Sequence, residues 1–260
     1  MSEIQHEPHF KSLKQSKLQN RVRESILEEI KNGSFSDGKL PTETKLAKML
    51  GVSRPTISIT LAYMEREGIV VRRHGSACYV NQGYRNMHSL INQGVGMYDL
   101  IRQNGYTPSL ISDSITTDTA SNLPPDISAR MESAGFDVNA DDEIYCIQRV
   151  FGANGAPSVL TQEFIPAKYT TQTFDSPDSL PETIYKLSEQ YCISPIEFTL
   201  VEIIPCRIEK HIQEKLQCEE NEPVLLTEEI HLSNRSIPMI FSRVYVVDKY
   251  IRFQAIRIRE

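Results

Sequence analysis

Three neighbouring residues of the chain carry side chains that can recognise DNA bases. Arg54, Thr56 and Ser58 lie close together, and Ile59 follows directly. An arginine guanidinium can donate two hydrogen bonds to O6 and N7 of one guanine, hydroxyl groups can bond to base edges, and isoleucine can contact a thymine methyl group. The types and spacing of these residues therefore indicate direct reading of a DNA major groove.

Basic residues on either side of this stretch could hold the phosphate backbone. Lys45 precedes it, and Arg72, Arg73 and His74 follow it. Such cations neutralise phosphates and position a protein on DNA without specifying a sequence. Solvated surface residues on a protein-interaction module are the alternative interpretation of the same side chains.

A second candidate site centres on Arg149. Strand alternation places its side chain on the same face as those of Ile147 and Phe151, where a charge requires a partner. Two partners are open at this point. One is a glutamate such as Glu229 in a buried salt bridge, and the other is a ligand carboxylate or phosphate held by the guanidinium fork.

Further residues could line the same ligand site. Thr183 falls in the first turn of a predicted helix, where free amide groups attract anions. Gly94 and Gly96 belong to a loop that leads into another helix and could present backbone amides, with simple flexibility as the alternative. Ser242 and Tyr245 are expected in the wall of the site.

The elements that would position Arg54 are three helices. Apolar residues at helical spacing predict the first helix over 17–31, with the second opening at Thr42 and ending at Gly51. Ser53 is the expected N-cap of the third helix, in which Pro55 is tolerated because it lies in the first turn. The small residues and the tight turn between the last two helices are typical of a helix-turn-helix.

Two short β-type runs complete this unit. Residues 69–73 and 77–80 flank a basic tip, and they predict a two-stranded wing behind the third helix. In a winged helix-turn-helix, the third helix enters the major groove while the wing meets the backbone or the minor groove.

The remainder of the chain alternates strand and helix patterns. Hairpin signals, such as Asn154-Gly155, require antiparallel neighbours and predict an α+β domain with one mostly antiparallel sheet. Strands are expected at 110–117, 143–152, 158–166, 196–205, 223–233, 238–247 and 252–258, and helices at 97–104, 125–134, 181–190 and 207–216.

Charge is divided unevenly along the 260 residues, whose net charge is −6. Residues 1–83 hold 13 lysines and arginines against 9 acidic residues, whereas residues 84–260 hold 15 against 25. This asymmetry favours two domains with different partners. Five cysteines without a CxxC pair indicate reduced thiols, and the absence of a signal peptide or a long apolar run predicts a cytoplasmic protein.

The segment from Leu40 to Val80 resembles the DNA-binding domain of GntR-family bacterial transcription regulators. The resemblance rests on the LPTE entry, the LA pair, the GVSR turn, the EG pair and Gly75 of the wing. Ser58 and Lys45 depart from the usual Arg and Glu, which bears on the operator sequence. The DNA contacts expected on both grounds are Lys45, Ser53, Arg54, Pro55, Thr56, Ser58, Arg72, Arg73, His74 and Gly75.

The second domain resembles the UTRA effector-binding domain of the HutC subfamily, which shares its fold with chorismate lyase. The marks include Gly105-Tyr106-Thr107-Pro108, Gly155-Ala156-Pro157 and Phe164-Ile165-Pro166. The resemblance implies a sensor of sugar phosphates or other anionic metabolites. Phe151 and Thr161 stand where many members have Arg and Glu, which disfavours an amino-sugar phosphate. The expected ligand contacts are Gly94, Gly96, Arg149, Phe151, Thr161, Thr183, Tyr185, Ser242 and Tyr245.

We therefore predict a winged helix-turn-helix over 1–80 with a polar tail at 1–16, a linker at 81–89, and an α+β, chorismate-lyase-like (UTRA) domain for effector binding and dimerisation over 90–260. The predicted function is a transcription regulator, most simply a repressor, whose affinity for DNA is controlled by a small anionic metabolite. Its expected partners are a twofold-symmetric operator, this effector and a second copy of the chain, with no membrane.

Two other classes of function remain as alternatives. A chorismate-lyase-like enzyme would need catalytic residues, but the chain has no P-loop, HExxH or nucleophile elbow and its six histidines are scattered. No catalytic residue, metal or cofactor is expected. A non-specific DNA-binding protein would leave the acidic second domain unexplained.

Overall fold

The computed structural model describes residues 17–73, 77–85, 87–174, 176–219 and 221–257. Its N-terminal part is built from helices with capped ends and apolar faces. Thr42 accepts a hydrogen bond from the amide of Lys45 and Ser53 accepts one from the amide of Thr56, so both predicted N-caps are confirmed. Gly51 ends the intervening helix with φ of 65°, in the left-handed region that favours glycine. The helices are α1 Lys17–Lys31, α2 Glu43–Leu50 and α3 Arg54–Arg66.

Both α1 and α2 pack against α3. Ile57, Leu61 and Met64 of α3 are almost completely buried, as are Val22 and Ile26 of α1. The wing follows as an antiparallel pair, β1 Val70–Arg73 and β2 Ala77–Val80. The predicted winged helix-turn-helix architecture is confirmed.

The segment predicted as a linker, 81–89, contains a short helix, α4 Gln82–Arg85. The Asn81 side chain donates to the Gly68 carbonyl and accepts from the Gly83 amide, and Tyr84 is buried. These local hydrogen bonds form one helical turn without any apolar periodicity, which is why the sequence pattern did not reveal it. The chain divides into two compact units within this segment, after Met87, and the residues from Ala255 group with the first unit.

The second unit is built on a six-stranded antiparallel sheet with the strand order β3-β4-β5-β8-β7-β6. The predicted α+β class is confirmed. In chain order the elements are α5 Met97–Gln103, β3 Pro108–Thr119, α6 Pro125–Ser133, β4 Glu143–Ala153, β5 Ala156–Pro166, α7 Ile184–Tyr191, β6 Phe198–Pro205, α8 Lys210–Leu216, β7 Val224–Leu232 and β8 Pro238–Val247, with 3₁₀ turns at Ala120–Asn122, Ala167–Tyr169 and Pro177–Ser179.

Strand alternation separates the core of this unit into two sides. On one side, Phe151, Val244 and Val246 pack with Leu100 and Ile101 of α5. On the other side, residues of the alternate register pack around α8, with Val150, Leu160, Ile212, Leu216 and Val247 in one cluster. Val150 and Phe151 of β4, and Val246 and Val247 of β8, therefore belong to different layers.

The strand predicted over 252–258 is wrong as far as the described residues 252–257 show. Only an isolated parallel bridge joins Leu90 to Gln254 there. The strand before this segment, β8, already has β5 and β7 on its two sides. A chain leaving a strand with two neighbours finds no free edge beside it, and the apolar residues of the segment pack without a ladder.

Candidate nucleic-acid interface and ligand cavity

The first turn of α3 presents its polar residues to solvent. The Arg54 side chain is 69% exposed, and Ser53 and Pro55 are also exposed. Thr56 is half-buried, and its hydroxyl lies 2.8 Å from the Ser53 hydroxyl. The helix cap therefore both starts the helix and gathers these side chains at its N-terminal end.

Further along α3, the side facing away from the core carries Ser58 and Ile59. Ser58 is half-buried and Ile59 is 44% exposed, although Ile59 is a large apolar residue. Ile57 and Thr60, which flank this pair in sequence, are fully buried. The exposed face can contact a partner while the buried face holds the helix on α1 and α2.

Glu43 is a residue of this surface that the sequence analysis treated only as part of a motif. Its carboxylate lies 3.3 Å from Nε of Arg54 and 3.9 Å from an Nη of Arg72, so it joins the recognition helix to the wing. Glu65 holds Arg72 from a second side at 3.3 Å. An acidic residue in the first turn of α2 was visible in the sequence, but its partners depend on the tertiary packing.

The other predicted DNA contacts are distributed around these residues. Lys45 is exposed on α2. Arg73 lies over the ring of Tyr79, with 4.9 Å between the guanidinium carbon and the ring centroid. His74 and Gly75, at the tip of the wing, lie outside the described residues. Of the described cations, Arg72 lies near the first turn of α3, because both it and Arg54 contact Glu43.

The predicted ligand residues of the second unit meet on one face of its sheet. Arg149 of β4 lies opposite Thr161 of β5, and Ser242 of β8 lies opposite Glu163 of β5. A cavity of about 30 Å³ is lined by these residues together with Phe151, Gly96 and Thr183. It shares lining residues with a larger cavity of about 430 Å³, which Gly94 and Tyr185 also line.

The buried partner of Arg149 is Glu163. Arg149 is 4% exposed, its Nη2 lies 3.2 Å from Oε1 of Glu163, and its Nη1 donates to the carbonyl of Pro181 at 2.9 Å. The suggestion of Glu229 as the salt-bridge partner is wrong. Glu229 lies on β7, which is separated from β4 by two intervening strands, whereas Glu163 is on the adjacent strand.

His231 is a buried residue of this face that the sequence analysis did not single out. Nδ1 lies 3.0 Å from the Thr199 hydroxyl, and Nε2 lies 3.0 Å from the Ser242 hydroxyl. Burial lowers the pKa of His231 to about 3, so the ring is neutral at physiological pH. Burial likewise raises the pKa of Tyr185 to about 12 and keeps it a phenol.

The loop at 92–96 approaches α7 too closely for side chains. A Cβ atom on Gly94 would lie 2.3 Å from the Tyr185 hydroxyl, and one on Gly96 would lie 2.4 Å from Cγ2 of Thr183. Thr183 is fixed because its hydroxyl caps α7 by accepting from the amide of Lys186 at 3.1 Å. The two glycines are therefore explained by close packing against α7.

Tyr245 does not join the cavity. It packs on the opposite side of the sheet with Val150 and Leu160, in the cluster around α8. Ser242 and Tyr245 are three residues apart on one strand, so alternation sends their side chains to opposite faces. The expectation that both line one wall is wrong for this reason.

Substituting alanine for Gly96 should lower the free energy of unfolding by about 1–3 kcal/mol, the usual cost of overpacking. Thr183 cannot rotate away without losing the cap of α7. The double variant Gly96→Ala, Thr183→Ser keeps the capping hydroxyl, removes the clashing methyl group and should regain most of the loss. Urea unfolding of both variants measures the effect, and wild-type stability of the single variant would contradict the close contact.

The described residues contain neither a metal-ligand cluster nor a helix that could span a membrane. No group of three or more His, Cys, Asp and Glu residues is arranged there to hold a metal ion. No helix in the described ranges is long and apolar enough to cross a membrane.

Comparison with known proteins matches both units. Residues 18–80 match the model of the bacterial regulatory proteins of the gntR family, and residues 127–252 match the UTRA domain. The transcriptional repressor NagR of Bacillus subtilis is 25% identical over 88% of this chain and 90% of its own length. The histidine utilization repressor of Pseudomonas putida is 25% identical over 80% of this chain and 79% of its own.

A solved structure shows the same fold over the whole chain. YydK of Bacillus subtilis, described as a possible transcriptional regulator, has a TM-score of 0.65 and 17% sequence identity. The match covers 94% of this chain and 100% of YydK. Both domains therefore occur together, and in this order, in a protein of known structure.

Proposed function

The chain belongs to the GntR family of bacterial regulators and joins a GntR DNA-binding domain to a UTRA domain, as HutC-type members do, and from this premise we propose that it is a repressor. It is a ligand-regulated, DNA-binding regulator of transcription and not an enzyme. Repression is supported by the names of NagR and the histidine utilization repressor. A regulator that binds the chromosome of a bacterium acts in the cytoplasm, which is where we place this chain.

The observation that carries the DNA-binding function is the exposed first turn of α3. Arg54 stands at its N-terminal end, and Glu43 lies between Arg54 and Arg72. We propose that Arg54 reads a guanine, while Thr56, Ser58 and Ile59 contact neighbouring base pairs. On DNA, the guanine edge would replace the Glu43 carboxylate as the partner of Arg54.

The operator that fits this surface is twofold symmetric. One recognition helix reads only a few base pairs, so a useful specificity requires two half-sites and two copies of the chain. We propose a homodimer in which each winged domain takes one half-site. Lys45, Arg72 and Arg73 would then hold the phosphates on both sides of each major groove.

The effector site that we propose is the pair of adjoining cavities on the sheet of the second unit. Arg149, Phe151, Thr161, Thr183 and Ser242 line the smaller cavity. A ligand there would also touch the loop at 92–96, which lies against α7. The effector can change operator affinity only by binding the DNA-competent and DNA-incompetent arrangements with different affinity.

Selection of bound sequences from a random duplex pool by the purified protein tests this proposal. We expect recovery of a twofold-symmetric site, and we expect binding to weaken steeply between 50 and 200 mM salt, roughly 10³-fold or more for a protein that contacts several phosphates on each half-site. A reporter gene downstream of that site should be switched off by the chain. Recovery without sequence preference would favour a non-specific DNA-binding protein and would contradict the proposal.

A further inference from the structure

The ionic groups around the smaller cavity do not suit an anionic ligand. One cation, Arg149, and three carboxylates, Glu163, Glu182 and Glu229, line it. The Arg149 charge is already paired with Glu163, and Glu182 is paired with Lys186 at 2.9 Å. The remaining group, Glu229, leaves the cavity with an excess of negative charge.

Glu229 has no cationic partner among the described residues. Its Oε1 accepts from the hydroxyl of Thr227 at 3.0 Å, and its Oε2 lies 3.7 Å from Nε2 of His231, which is neutral. Only 20% of the Glu229 side chain is exposed. Burial raises the pKa of Glu229, and the neighbouring carboxylate of Glu163 raises it further. The Thr227 hydrogen bond lowers the pKa in part, and the net upward direction agrees with the geometry, in which no described cation lies beside the carboxylate.

Three further polar atoms of the same cavity lack a hydrogen-bond partner within the described parts of the chain. They are Nε of Arg149, Oγ1 of Thr161 and Oε2 of Glu163. These residues are 4%, 2% and 3% exposed, so water outside the protein does not reach them. Buried polar groups are nearly always paired, and a cluster of three unpaired ones points to a polar group of a ligand. Nε of Arg149 can only donate, Oε2 of Glu163 can only accept, and the Thr161 hydroxyl can do either. The Glu229 carboxylate adds further acceptor capacity beside them.

The size of the recess limits which chemical groups it can hold. Its volume is about 30 Å³, which is about two to three times the roughly 10–15 Å³ that a cavity needs to hold one water molecule. An ammonium group fits such a space, and the Glu229 carboxylate in its lining would repel the two negative charges of a phosphate group. The adjoining cavity of about 430 Å³ is lined by apolar residues such as Val95, Leu100 and Phe253 and can hold the body of a small molecule.

We propose that the effector is a small primary amine whose ammonium group binds in this recess between Glu229 and Glu163. Thr161 accepts a further hydrogen bond from the ammonium group, and the carbon skeleton lies in the larger cavity. This inference rests on the proposed function, in which these cavities form the effector site. It replaces the anionic metabolite that the family resemblance implies.

A thermal-shift screen of the full-length protein tests the ligand class. The probes are the standard amino acids, their decarboxylated amines and ethanolamine, each paired with its N-acetyl derivative, with inorganic phosphate and glycerol 3-phosphate as anions. We expect at least one amine to raise the Tm by several degrees, its N-acetyl derivative to have no effect, and the shift to disappear in Glu229→Gln. A shift produced only by the phosphates would overturn the proposal. The absence of a shift with every amine at 10 mM would also overturn it.

A second measurement needs no ligand. At pH 8, Glu229→Gln should raise the Tm of the free protein because the amide removes an uncompensated charge from a buried site. The matched variant Glu163→Gln should lower the Tm because Arg149 loses its buried partner. A lower Tm for Glu229→Gln would show that the carboxylate is compensated in the free protein and would contradict the proposal.

Operator binding separates a failure of this inference from a failure of the proposed function. Release of the operator by an amine, in wild type but not in Glu229→Gln, supports both. Release by a phosphate ester instead would contradict the proposal that the ligand is an amine but would support the proposed effector site. An amine that raises the Tm through Glu229 without changing operator affinity would support the amine-binding site and contradict its regulatory role.

Discussion

Arg54→Ala should lower the affinity for the selected operator by about 1–3 kcal/mol for each half-site, the usual value of a bidentate arginine–guanine contact. For a dimer on two half-sites, the loss reaches roughly 30-fold or more. The side chain is 69% exposed and its Nε contacts Glu43 at 3.3 Å, so its removal leaves the helix packing intact. Fluorescence anisotropy with a labelled operator measures the change.

Arg66 supplies the matched control for this prediction. It is an exposed arginine in the last turn of the same helix, at the end that points away from the recognition residues. Arg66→Ala should change operator affinity little. Lys45→Ala should weaken binding to all sequences alike and reduce the salt dependence by about one phosphate. Equal losses for Arg54→Ala and Arg66→Ala, on operator and random DNA alike, would contradict base reading by Arg54.

The first unit could be predicted from its sequence because its signals are local. The N-caps Thr42 and Ser53 and the left-handed Gly51 each act within one helical turn, and all three have the predicted role. Apolar periodicity likewise gave the bounds of α1. The ion pairs of Glu43 could not be predicted from the sequence because they join three elements whose relative positions depend on tertiary packing.

In the second unit, the faces of some strands could be predicted from the sequence, but the contacts between strands could not. Alternation predicted that Arg149 and Phe151 share a face, but the partner of Arg149 depended on the strand order, which no local pattern specifies. Ser242 and Tyr245 are both expected in the wall, but they are three residues apart on β8, so only Ser242 faces the cavity. His231 gave no signal, since a lone histidine within a strand pattern is equally typical of the surface.

Glu163 is the residue of the candidate site whose absence from the sequence-based prediction had the largest consequence. It follows Thr161 by two residues on β5 and therefore shares its face, next to Arg149 on the adjacent strand. Once the register is known, the pair is obvious. Because Glu163 neutralises the Arg149 charge, Glu229 becomes the unpaired ionic group of the cavity, and this changes the expected chemistry of the effector.

Breaking the Arg149–Glu163 pair should produce the largest loss of stability among the variants considered. The two side chains are 5% and 4% exposed, and removing one partner of a buried ion pair typically costs about 3–5 kcal/mol because the other charge is left uncompensated. Arg149→Met should therefore lower the Tm of the second unit by roughly 6–20 °C at 2–4 °C per kcal/mol. Glu163→Met should have a comparable effect.

The double variant Arg149→Met, Glu163→Met distinguishes an ion pair from two independent packing contributions. Replacement of both charges by apolar side chains of similar length removes the uncompensated charge, and such replacements are often neutral or stabilising. We expect the double variant to be more stable than either single variant, with a coupling energy within the 0.5–3 kcal/mol usual for residues in contact. Additive losses would contradict the pairing.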